Sequence, residues 1–514
     1  MLKIKISYAA VSAVLLFLSF PPFDLTWLSF VSLVPLIIAL EDSSYGQIAV
    51  ISCVFTTIFV LGILTWIYIY HIIALPGIII IFNIYFLIMF LTYAFIIRRL
   101  YYIDIFIFPI VWTSLEYFRS NGYFGFPWGV LGYTQYKFIQ FIQASDITGV
   151  FGISFVICLI NSIIAYLILS HLKNNRLIIQ SVVIILLIFL ILLYGFDKIE
   201  DYKSASLEKQ ISVGFVQPNF SPYYMLWSEQ RNKIIPKIIN SIDKLLLNKP
   251  DLIILSETII LDDLFFYNPV SGNLEWKNFQ WKYMLSKNAY ASGSSIFFGT
   301  QTYKPNSRNG FDYFNTAILL SPAGKIIDYY NKIHLVPFGE ITPFYNKYDF
   351  VKKIADSLQC GNFTPGDKIT VMDNVEYKIA PMICYESIFH DLSRKFAKSG
   401  ADFFINITND AWTNSIQAHQ QHFAMNVFTA VQNHLPILRC GNSGISGIIS
   451  GIGEIIYSSS PLTNEEILLN FTYYPEKKGS FYMRYGDIFS NTVIILLGLI
   501  LFISIFFPKK TEEY

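Results

Sequence analysis

The chain has 514 residues, of which 54% are hydrophobic and only 14% are charged, and its mean hydropathy is +0.47. Soluble globular chains carry about 25% charged residues, so this composition excludes an ordinary soluble protein and places much of the chain in lipid. The formal net charge of +1 gives no electrostatic case for a nucleic-acid partner.

Eight apolar segments are predicted to cross a membrane, because a run of about 20 apolar residues spans the hydrocarbon layer. The first, second and fifth are short for a crossing. The first also follows two lysines, as a signal peptide would, but Pro21-Pro22-Phe23 stands where a small-residue cleavage site is needed. The predicted spans are Ile6–Phe20, Trp27–Leu40, Gln47–Tyr70, Gly77–Ile97, Ile103–Phe118, Phe151–Leu169, Leu177–Phe196 and Ile488–Phe507.

Basic residues predict the orientation of these spans. With eight crossings, the short basic clusters all fall on one side, which the positive-inside rule makes cytoplasmic. We therefore expect a seven-helix transmembrane domain over residues 1–200, a domain on the opposite face over 205–475, and a last transmembrane helix over 486–508. The clusters are Lys3 with Lys5, Arg98 with Arg99, Lys173 with Arg176, and Lys509 with Lys510.

Two charges, Glu116 and Arg119, lie one helical turn apart at the end of the fifth predicted span. A charged pair inside a membrane helix can mark a functional site. It can equally be an ion pair at the interface that orients the helix. The sequence leaves both alternatives open.

Between Ile211 and Asn470 the pattern changes to short apolar strands separated by helices, which are expected at Ser228–Leu247 and Gln417–Asn433. Strands that alternate with helices indicate a layered α/β domain. The expected strands are Ile211–Val216, Leu252–Leu255, Ser295–Gly299, Asn315–Leu320, Ile379–Cys384, Asp402–Ile407, Pro436–Arg439, Gly447–Ile449 and Glu454–Tyr457.

Three reactive groups, Glu257, Lys332 and Cys384, each follow an apolar stretch of this domain. The carboxyl ends of strands are where α/β proteins place their chemistry. A free thiol is mostly protonated near pH 7, so a nucleophilic cysteine needs a base and a nearby positive charge. Glu257 can be that base, and Lys332 can stabilise both the thiolate and a tetrahedral oxyanion.

Neighbouring residues can support this chemistry. The backbone N–H of Tyr385, directly after the nucleophile, is a natural second oxyanion donor. Glu340 can orient the lysine or help to move protons, and Glu386 can do the same from beside the thiol. Taken singly, each reactive group has a simpler explanation. Cys384 can be a small buried residue, Glu257 a helix cap and Lys332 a surface lysine. Their conjunction favours an acyl-transfer site.

Three other features do not predict a bound group. His419 and His422 lie one turn apart on an expected helix, but no third ligand accompanies them, so we expect no metal. The run Gly441–Gly447 lacks the lysine of a phosphate-binding loop, and we expect no cofactor. Cys360 and Cys440 can form a disulfide in an oxidising compartment, and the sequence leaves this open.

The order and flanks of Glu257, Lys332 and Cys384 resemble the Glu-Lys-Cys triad of the nitrilase superfamily. More narrowly, the chain is similar over nearly its whole length to the apolipoprotein N-acyltransferase family. One position departs, since Ser443 stands where the family has threonine. The motifs that carry the similarity are Lys332–Glu340 with Pro343, Ile383–Ser387, Asn406–Trp412, Trp112 with Glu116 and Arg119, Pro127-Trp128, and Gly486-Asp487.

This resemblance implies an αββα nitrilase-like sandwich domain on the periplasmic face of a bacterial inner membrane, joined to an eight-helix transmembrane bundle. It implies transfer of an acyl chain from a phospholipid, usually phosphatidylethanolamine, to Cys384 as a thioester. The chain then passes to the α-amino group of a diacylglyceryl-cysteine apolipoprotein, and no cofactor is required. Glu257 is implied as the base and Lys332 as the oxyanion stabiliser.

The resemblance also implies roles for other residues. Glu340, Tyr385 and Glu386 match further functional positions of the family, and Trp227 and Trp412 are implied in substrate binding. The aromatic loop Phe344–Phe350 can dip into the membrane interface as a lid, or it can simply pack on the domain.

Two alternative functions remain at this stage. A membrane-tethered amidase or nitrilase-type hydrolase would use the same triad on water, and it would clear a thioester without an amine acceptor. A transporter or receptor would use the polar domain only to bind a ligand, and it would keep its function after the change Cys384→Ala.

Overall fold

The computed structural model describes residues 1–69, 72–100, 104–170, 175–221, 228–260, 264–268, 271–306, 310–343, 345, 347–357, 361–475 and 479–507. The chain divides into two compact units. The helical unit comprises Met1–Ser204, Gln420–Gln432 and Ser480–Tyr514, and the α/β unit comprises Ala205–His419 and Asn433–Gly479.

The helices of the chain, in order, have the following bounds. They are α1 (Leu2–Leu18), α2 (Ser29–Ser32), α3 (Val34–Leu40), α4 (Tyr45–Leu64), α5 (Ala74–Ile97), α6 (Asp104–Ser120), α7 (Ile139–Ile142), α8 (Ser145–Thr148), α9 (Val150–Leu169), α10 (Asn175–Lys203), α11 (Ser228–Leu246), α12 (Phe279–Ser292), α13 (Asp349–Ser357), α14 (His390–Lys398), α15 (Ile416–Asn433), α16 (Phe481–Tyr485) and α17 (Ile488–Phe506).

Within the described ranges, five helical segments are long and apolar enough to cross a membrane. They are Tyr45–Ile69, Ala74–Ile97, Val150–Leu169, Asn175–Lys203 and Ile488–Phe506. The other three expected spans are also helical but shorter. Helices α1 and α6 have 17 residues each, and a helix of that length extends about 26 Å, less than the hydrocarbon layer of about 30 Å.

The second expected span is interrupted, which is why it does not form one long helix. A 3-10 turn at Thr26–Leu28 and helix α2 precede a break at Leu33, where α3 begins. Pro35 lies in the first turn of α3 and has no N–H with which to continue the ladder of the preceding helix. The helix lengths therefore show several apolar helices but do not establish the expected count of eight spans.

Glu116 and Arg119, near the end of α6, bind the irregular backbone that follows this helix. Glu116 Oε1 accepts the N–H of Leu131 at 2.7 Å. Arg119 Nη1 donates to the carbonyl oxygens of Phe126 and Trp128 at 2.7 and 2.6 Å. Buried backbone groups outside a helix need such partners. The two charges therefore hold the segment 126–131 in place.

The α/β unit contains fourteen strands in its described residues. They are β1 (Lys209–Gln217), β2 (Leu252–Leu255), β3 (Phe265–Tyr267), β4 (Leu274–Trp276), β5 (Ser295–Pro305), β6 (Phe311–Leu320), β7 (Ile326–Asn331), β8 (Met372–Asp373), β9 (Lys378–Ile383), β10 (Phe403–Thr408), β11 (Ile437–Gly441), β12 (Gly447–Ile449), β13 (Ile455–Ser458) and β14 (Glu465–Tyr473).

Twelve of these strands form two mixed sheets, with orders β14-β1-β2-β5-β6-β7 and β13-β12-β11-β10-β9-β8. Strands β1, β2 and β5 run parallel in the first sheet, and β9, β10 and β11 run parallel in the second. The outer strands are antiparallel. Strands β2 and β10 are buried at every position, as expected for central parallel strands whose two faces are both covered.

The two sheets face one another, and helices cover the outside of the first. Cys440 Sγ on β11 lies 3.4 Å from the carbonyl oxygens of Val216 and Ile254 in the first sheet. Residues of α11 and α12, such as Ile242 and Trp281, belong to a buried cluster with that sheet. The layered α/β domain expected from the sequence is therefore confirmed.

Candidate active site

Three strand ends deliver the reactive side chains singled out in the sequence. Lys332 follows the last residue of β7 and Cys384 follows the last residue of β9, while Glu257 stands two residues after β2. Strands β2 and β7 belong to the first sheet and β9 belongs to the second. The site is thus assembled from both sheets.

The ammonium group of Lys332 is buried between two carboxylates. Its Nζ lies 2.8 Å from Glu340 Oε2 and 3.6 Å from Glu257 Oε1, and the lysine side chain is only 1% exposed. Burial by itself would lower the pKa of Lys332. Attraction to Glu340 and then to Glu257 outweighs burial and raises this pKa above its ordinary value. Lys332 is therefore a permanent cation.

The carboxylate of Glu257 is held by two donors besides the lysine. Asn315 Nδ2 donates to its Oε1 at 2.7 Å, and the backbone N–H of Asn409 donates to its Oε2 at 2.9 Å. Burial raises the pKa of Glu257, Lys332 opposes that rise, and the charge of Glu340 adds to it; the net direction is upward. Glu257 is thus a stronger base than a solvated glutamate.

Asn315 was not singled out in the sequence, yet it joins the two carboxylates. The same Nδ2 that binds Glu257 also donates to Glu340 Oε1 at 2.9 Å, and the N–H of Val336 donates to Glu340 Oε2 at 2.8 Å. In the sequence, the feature that could have identified Asn315 is an amide side chain at the start of an apolar run expected to form a strand. An amide donor between two anions reduces their mutual repulsion.

Cys384 is partly exposed and opens a 3-10 turn directly after β9. Its φ of +52° lies in the left-handed region, which costs a residue with a Cβ about 1–2 kcal/mol. The turn is held by Asn406 Nδ2 and Ser387 Oγ, which donate to the Cys384 carbonyl oxygen at 3.2 and 3.1 Å. The strained turn therefore sets the direction of the thiol at the strand end.

The Cys384 thiol is neutral at rest. Burial raises its pKa, the charge of Glu257 raises it further, and Lys332 opposes both, with the net pKa above the ordinary thiol value. A neutral thiol beside a basic carboxylate is arranged for proton transfer during attack and not for a preformed thiolate.

Glu386 connects the segment after Lys332 to the turn that begins at Cys384. Its Oε1 accepts from Tyr330 Oη at 2.6 Å and from the N–H groups of Ile333 and His334 at 2.8 and 3.0 Å. Its Oε2 accepts the N–H of Ile383 at 2.9 Å. Burial raises the pKa of Glu386 to about 7, although Lys332 and these donors oppose the rise. One side chain thereby ties both strand ends together.

The remaining residues of the expected site lie in different settings. Tyr385 is buried, and its ring meets that of Phe389 edge to face with centroids 4.8 Å apart. Trp412 ends a short 3-10 turn and is 48% exposed. Trp227 lies outside the described residues. Cys360, for which the sequence left a disulfide with Cys440 open, also lies outside them, and Cys440 itself is a free buried thiol.

The two histidines that suggested a metal pair make other contacts. His419 Nε2 lies 2.9 Å from the carbonyl oxygen of Asp410, and the ring of His422 packs against Trp128 with centroids 5.7 Å apart. Both are buried, so they do not face solvent. Among the described residues, no group of three or more histidine, cysteine or acidic side chains is placed to hold a metal ion.

Two family models match the chain. The model of the apolipoprotein N-acyltransferase N-terminal domain matches residues 12–163, and that of the carbon-nitrogen hydrolases matches residues 212–470. Among solved structures, a carbon-nitrogen hydrolase from Helicobacter pylori G27 is similar with a TM-score of 0.37 and 18% identity, covering 51% of this chain and 89% of that chain. A likeness of that size carries no argument about function.

Curated relatives cover both halves of the chain. Apolipoprotein N-acyltransferase of Geobacter metallireducens is 32% identical over 392 residues, which is 74% of this chain and 71% of that protein. Apolipoprotein N-acyltransferase 1 of Treponema denticola is 26% identical over 428 residues, 78% of each chain. These relatives favour an acyltransferase over the amidase alternative. The chain belongs to the apolipoprotein N-acyltransferase family, a membrane branch of the carbon-nitrogen hydrolases.

Proposed function

We propose that this acyltransferase takes a fatty acyl chain from a phospholipid, usually phosphatidylethanolamine, onto Cys384. It then transfers that chain to the α-amino group of a diacylglyceryl-cysteine apolipoprotein. The observation that carries the proposal is the buried ammonium of Lys332 between Glu257 and Glu340. The charges of Glu257 and Lys332 both act on the Cys384 thiol. A base, a fixed cation and a neutral thiol are the groups that thioester formation needs.

In the first step, the Glu257 carboxylate removes the thiol proton while Cys384 Sγ attacks the ester carbonyl carbon of the phospholipid. The new C–S bond gives a tetrahedral oxyanion, which Lys332 and the N–H of Tyr385 stabilise. Collapse of this intermediate breaks the ester C–O bond. The departing lysophospholipid oxygen takes the proton from Glu257, so the enzyme is left as a neutral thioester.

In the second step, the lipoprotein amine attacks the thioester carbonyl carbon and gives its proton to Glu257. The C–N bond forms, the C–S bond breaks, and the leaving sulfur recovers that proton. Two steps allow lysophospholipid to depart before the acceptor arrives. Glu340, Asn315 and Glu386 hold the reacting groups, while Trp227 and Trp412 contact the lipid substrates.

The same proposal includes the membrane arrangement. The chain crosses a bacterial inner membrane eight times, with seven spans in residues 1–200 and the last in 486–508. The catalytic domain over 205–475 lies on the periplasmic side. The basic clusters at the span ends support this orientation, because they all fall on one side when eight spans are counted.

Intact-protein mass spectrometry of the purified chain tests the thioester. Incubation with phosphatidylethanolamine alone should add one fatty acyl mass to Cys384, and the variant Cys384→Ser should turn over no lipoprotein substrate. Cys53→Ser, which removes an exposed thiol of the helical unit, is the matched control and should behave as the unchanged protein. Turnover without an adduct would refute the thioester route. An adduct that disappears equally fast with and without an amine would favour the hydrolase alternative.

A further inference from the structure

We propose that Arg439 is a positioning residue for the acyl transfer: it orients Asn406, which holds the nucleophile turn, and it neutralises Asp410 beside that turn. The inference rests on the proposed function in one respect, since it takes Cys384 as the nucleophile. In this role the three residues act through the turn that carries Cys384, and not as base or oxyanion donor.

The three parallel strands of the second sheet align the residues involved. Asn406 on β10 stands opposite Met382 on β9 and opposite Arg439 on β11. Arg439 is completely buried. Its guanidinium donates to Asn406 Oδ1, to Asp410 Oδ2 at 2.7 Å, and to the carbonyl oxygen of Ile445 at 3.2 Å. A buried charge with three acceptors is held in one geometry.

Arg439 helps to hold the amide of Asn406 in one orientation. A guanidinium has donors but no acceptor, so it can bind only the oxygen of an amide. The Nδ2 of Asn406 is thereby turned toward β9, where it donates to the carbonyl oxygens of Met382 and Cys384 at 3.2 Å each. These bonds hold the turn in which Cys384 has its positive φ. The two carbonyl oxygens only accept, so they require the same orientation, and Arg439 supplies the donor that Asn406 Oδ1 needs in it.

Arg439 also compensates a negative charge close to the thiol. Glu257 and Asp410 both disfavour ionisation of Cys384, while Lys332 and the hydroxyl of Thr408 favour it. The Asp410 carboxylate is paired with Arg439 and accepts from Thr408 Oγ1 at 3.0 Å. Removing the guanidinium would leave a buried anion near the sulfur, which is costly in itself and opposes thiolate formation.

Gly444 lies directly against the ion pair between Arg439 and Asp410. A Cβ at Gly444 would overlap Asp410 Oδ2, the oxygen that binds Arg439. The absence of a side chain at this position is therefore what allows the carboxylate to reach the guanidinium.

The test uses the full-length protein in lipid nanodiscs with the changes Arg439→Met, Arg439→Lys and the pair Arg439→Met with Asp410→Asn. Two rates are measured: acyl-enzyme formation from phosphatidylethanolamine in a single turnover, and alkylation of Cys384 by iodoacetamide as a function of pH. The second rate reports the thiol independently of any acyl donor. Thermal unfolding checks that each variant is folded.

Arg439→Met should slow acyl-enzyme formation about tenfold or more, since small displacements of a reacting group have effects of that size. Its alkylation profile should move to higher pH. The additional change Asp410→Asn should return the alkylation profile toward that of the unchanged protein but leave acylation slow. Arg439→Lys should keep the alkylation profile and still acylate slowly, because one ammonium cannot replace the guanidinium fork.

A folded Arg439→Met protein that acylates at the unchanged rate, or an alkylation profile that does not move, would overturn the inference. If Arg439→Met does not fold, Asn406→Ser takes its place, since it removes the amide without exposing a buried charge; an unchanged acylation rate there would overturn the inference equally. Absence of any acyl adduct on the unchanged protein would instead refute the proposed function. The alkylation profiles would still test whether Arg439 affects the Cys384 thiol.

Discussion

At the scale of single residues, the site depends on charges that compensate one another. Lys332 is surrounded by Glu257 and Glu340, so the cluster carries one more negative than positive charge when both carboxyls are ionised. Burial raises the pKa of Glu257, Lys332 opposes that rise and the charge of Glu340 adds to it. The raised pKa makes Glu257 a better acceptor for the proton of a reluctant thiol. The same raised pKa, however, limits the pH range in which Glu257 is ionised.

The pH dependence of acyl-enzyme formation should reveal this coupling. Glu257 acts as a carboxylate, so the rate should fall as the pH drops through its raised pKa, and this acid limb should lie above the ordinary carboxyl value. The change Glu340→Gln removes a repelling charge, lowers the pKa of Glu257 and should move the limb to lower pH. Single-turnover rates measured from pH 4 to 8 give the position of the limb.

Glu376→Gln is the matched control, because Glu376 is exposed on the same unit, and its acid limb should stay in place. Glu340→Gln should also lower the maximal rate, since Lys332 loses its nearest anchor. A limb that stays fixed or moves to higher pH in Glu340→Gln would mean that Glu257 is not the group being titrated.

At the scale of elements, the strands present the chemistry and one glycine sets their spacing. Gly299 lies on β5, next to β2 in the first sheet. A Cβ at this position would lie 2.9 Å from both Glu257 Cα and Thr258 N, and 2.8 Å from Ile407 Cδ1. Two of these atoms belong to the backbone that carries the base, so they cannot yield without moving Glu257.

The change Gly299→Ala should therefore destabilise the protein by about 1–3 kcal/mol, the usual cost of overpacking. It should also slow acyl-enzyme formation, because Glu257 shifts away from Lys332. Thermal unfolding and single-turnover acylation measure the two effects. Gly310→Ala is the control, since the nearest atom to a Cβ there lies 3.5 Å away. Equal behaviour of the two variants would show that Gly299 does not set the position of the base.

The strands were predictable to different degrees. Central strands such as β2 and β12 have the expected bounds because continuous apolar runs are typical of strands buried on both faces. Strand β14 was missed, since it is an edge strand that alternates buried and exposed residues and carries Glu465 and Glu466. The interruption at Leu33 in the second apolar run was missed because hydropathy does not register the lost N–H of Pro35.

At the scale of the whole molecule, the family assignment places a hydrolase-like unit in one chain with apolar helices. Both proposed substrates carry acyl chains, so a membrane-bound enzyme can collect donor and acceptor from the same lipid layer. Orientation then decides which lipoproteins it meets. An acceptor that has been exported is available only if the catalytic domain lies outside the cytoplasm.

Labelling with a membrane-impermeant maleimide tests the orientation in cells whose outer membrane is permeable. In a background without Cys53, Cys360 and Cys384, Ser399→Cys places an exposed thiol on the α/β unit and should be labelled in intact cells. Lys3→Cys, beside the first predicted span, is the matched control and should be labelled only after lysis. The reverse pattern would place the catalytic domain in the cytoplasm and contradict the proposed acceptor.

The sequence by itself determined the membrane character and the family, and it singled out Glu257, Lys332 and Cys384 as candidates. Apolar runs, charge density and local motifs can be recognised from the sequence alone, because each depends on residues that are close along the chain. Only the tertiary structure decided how those groups are held: that Asn315 joins two carboxylates, that Glu386 ties two strand ends, and that Arg439 binds Asn406. These contacts join strands and loops that are far apart in sequence, and burial there gives each hydrogen bond and charge its strength.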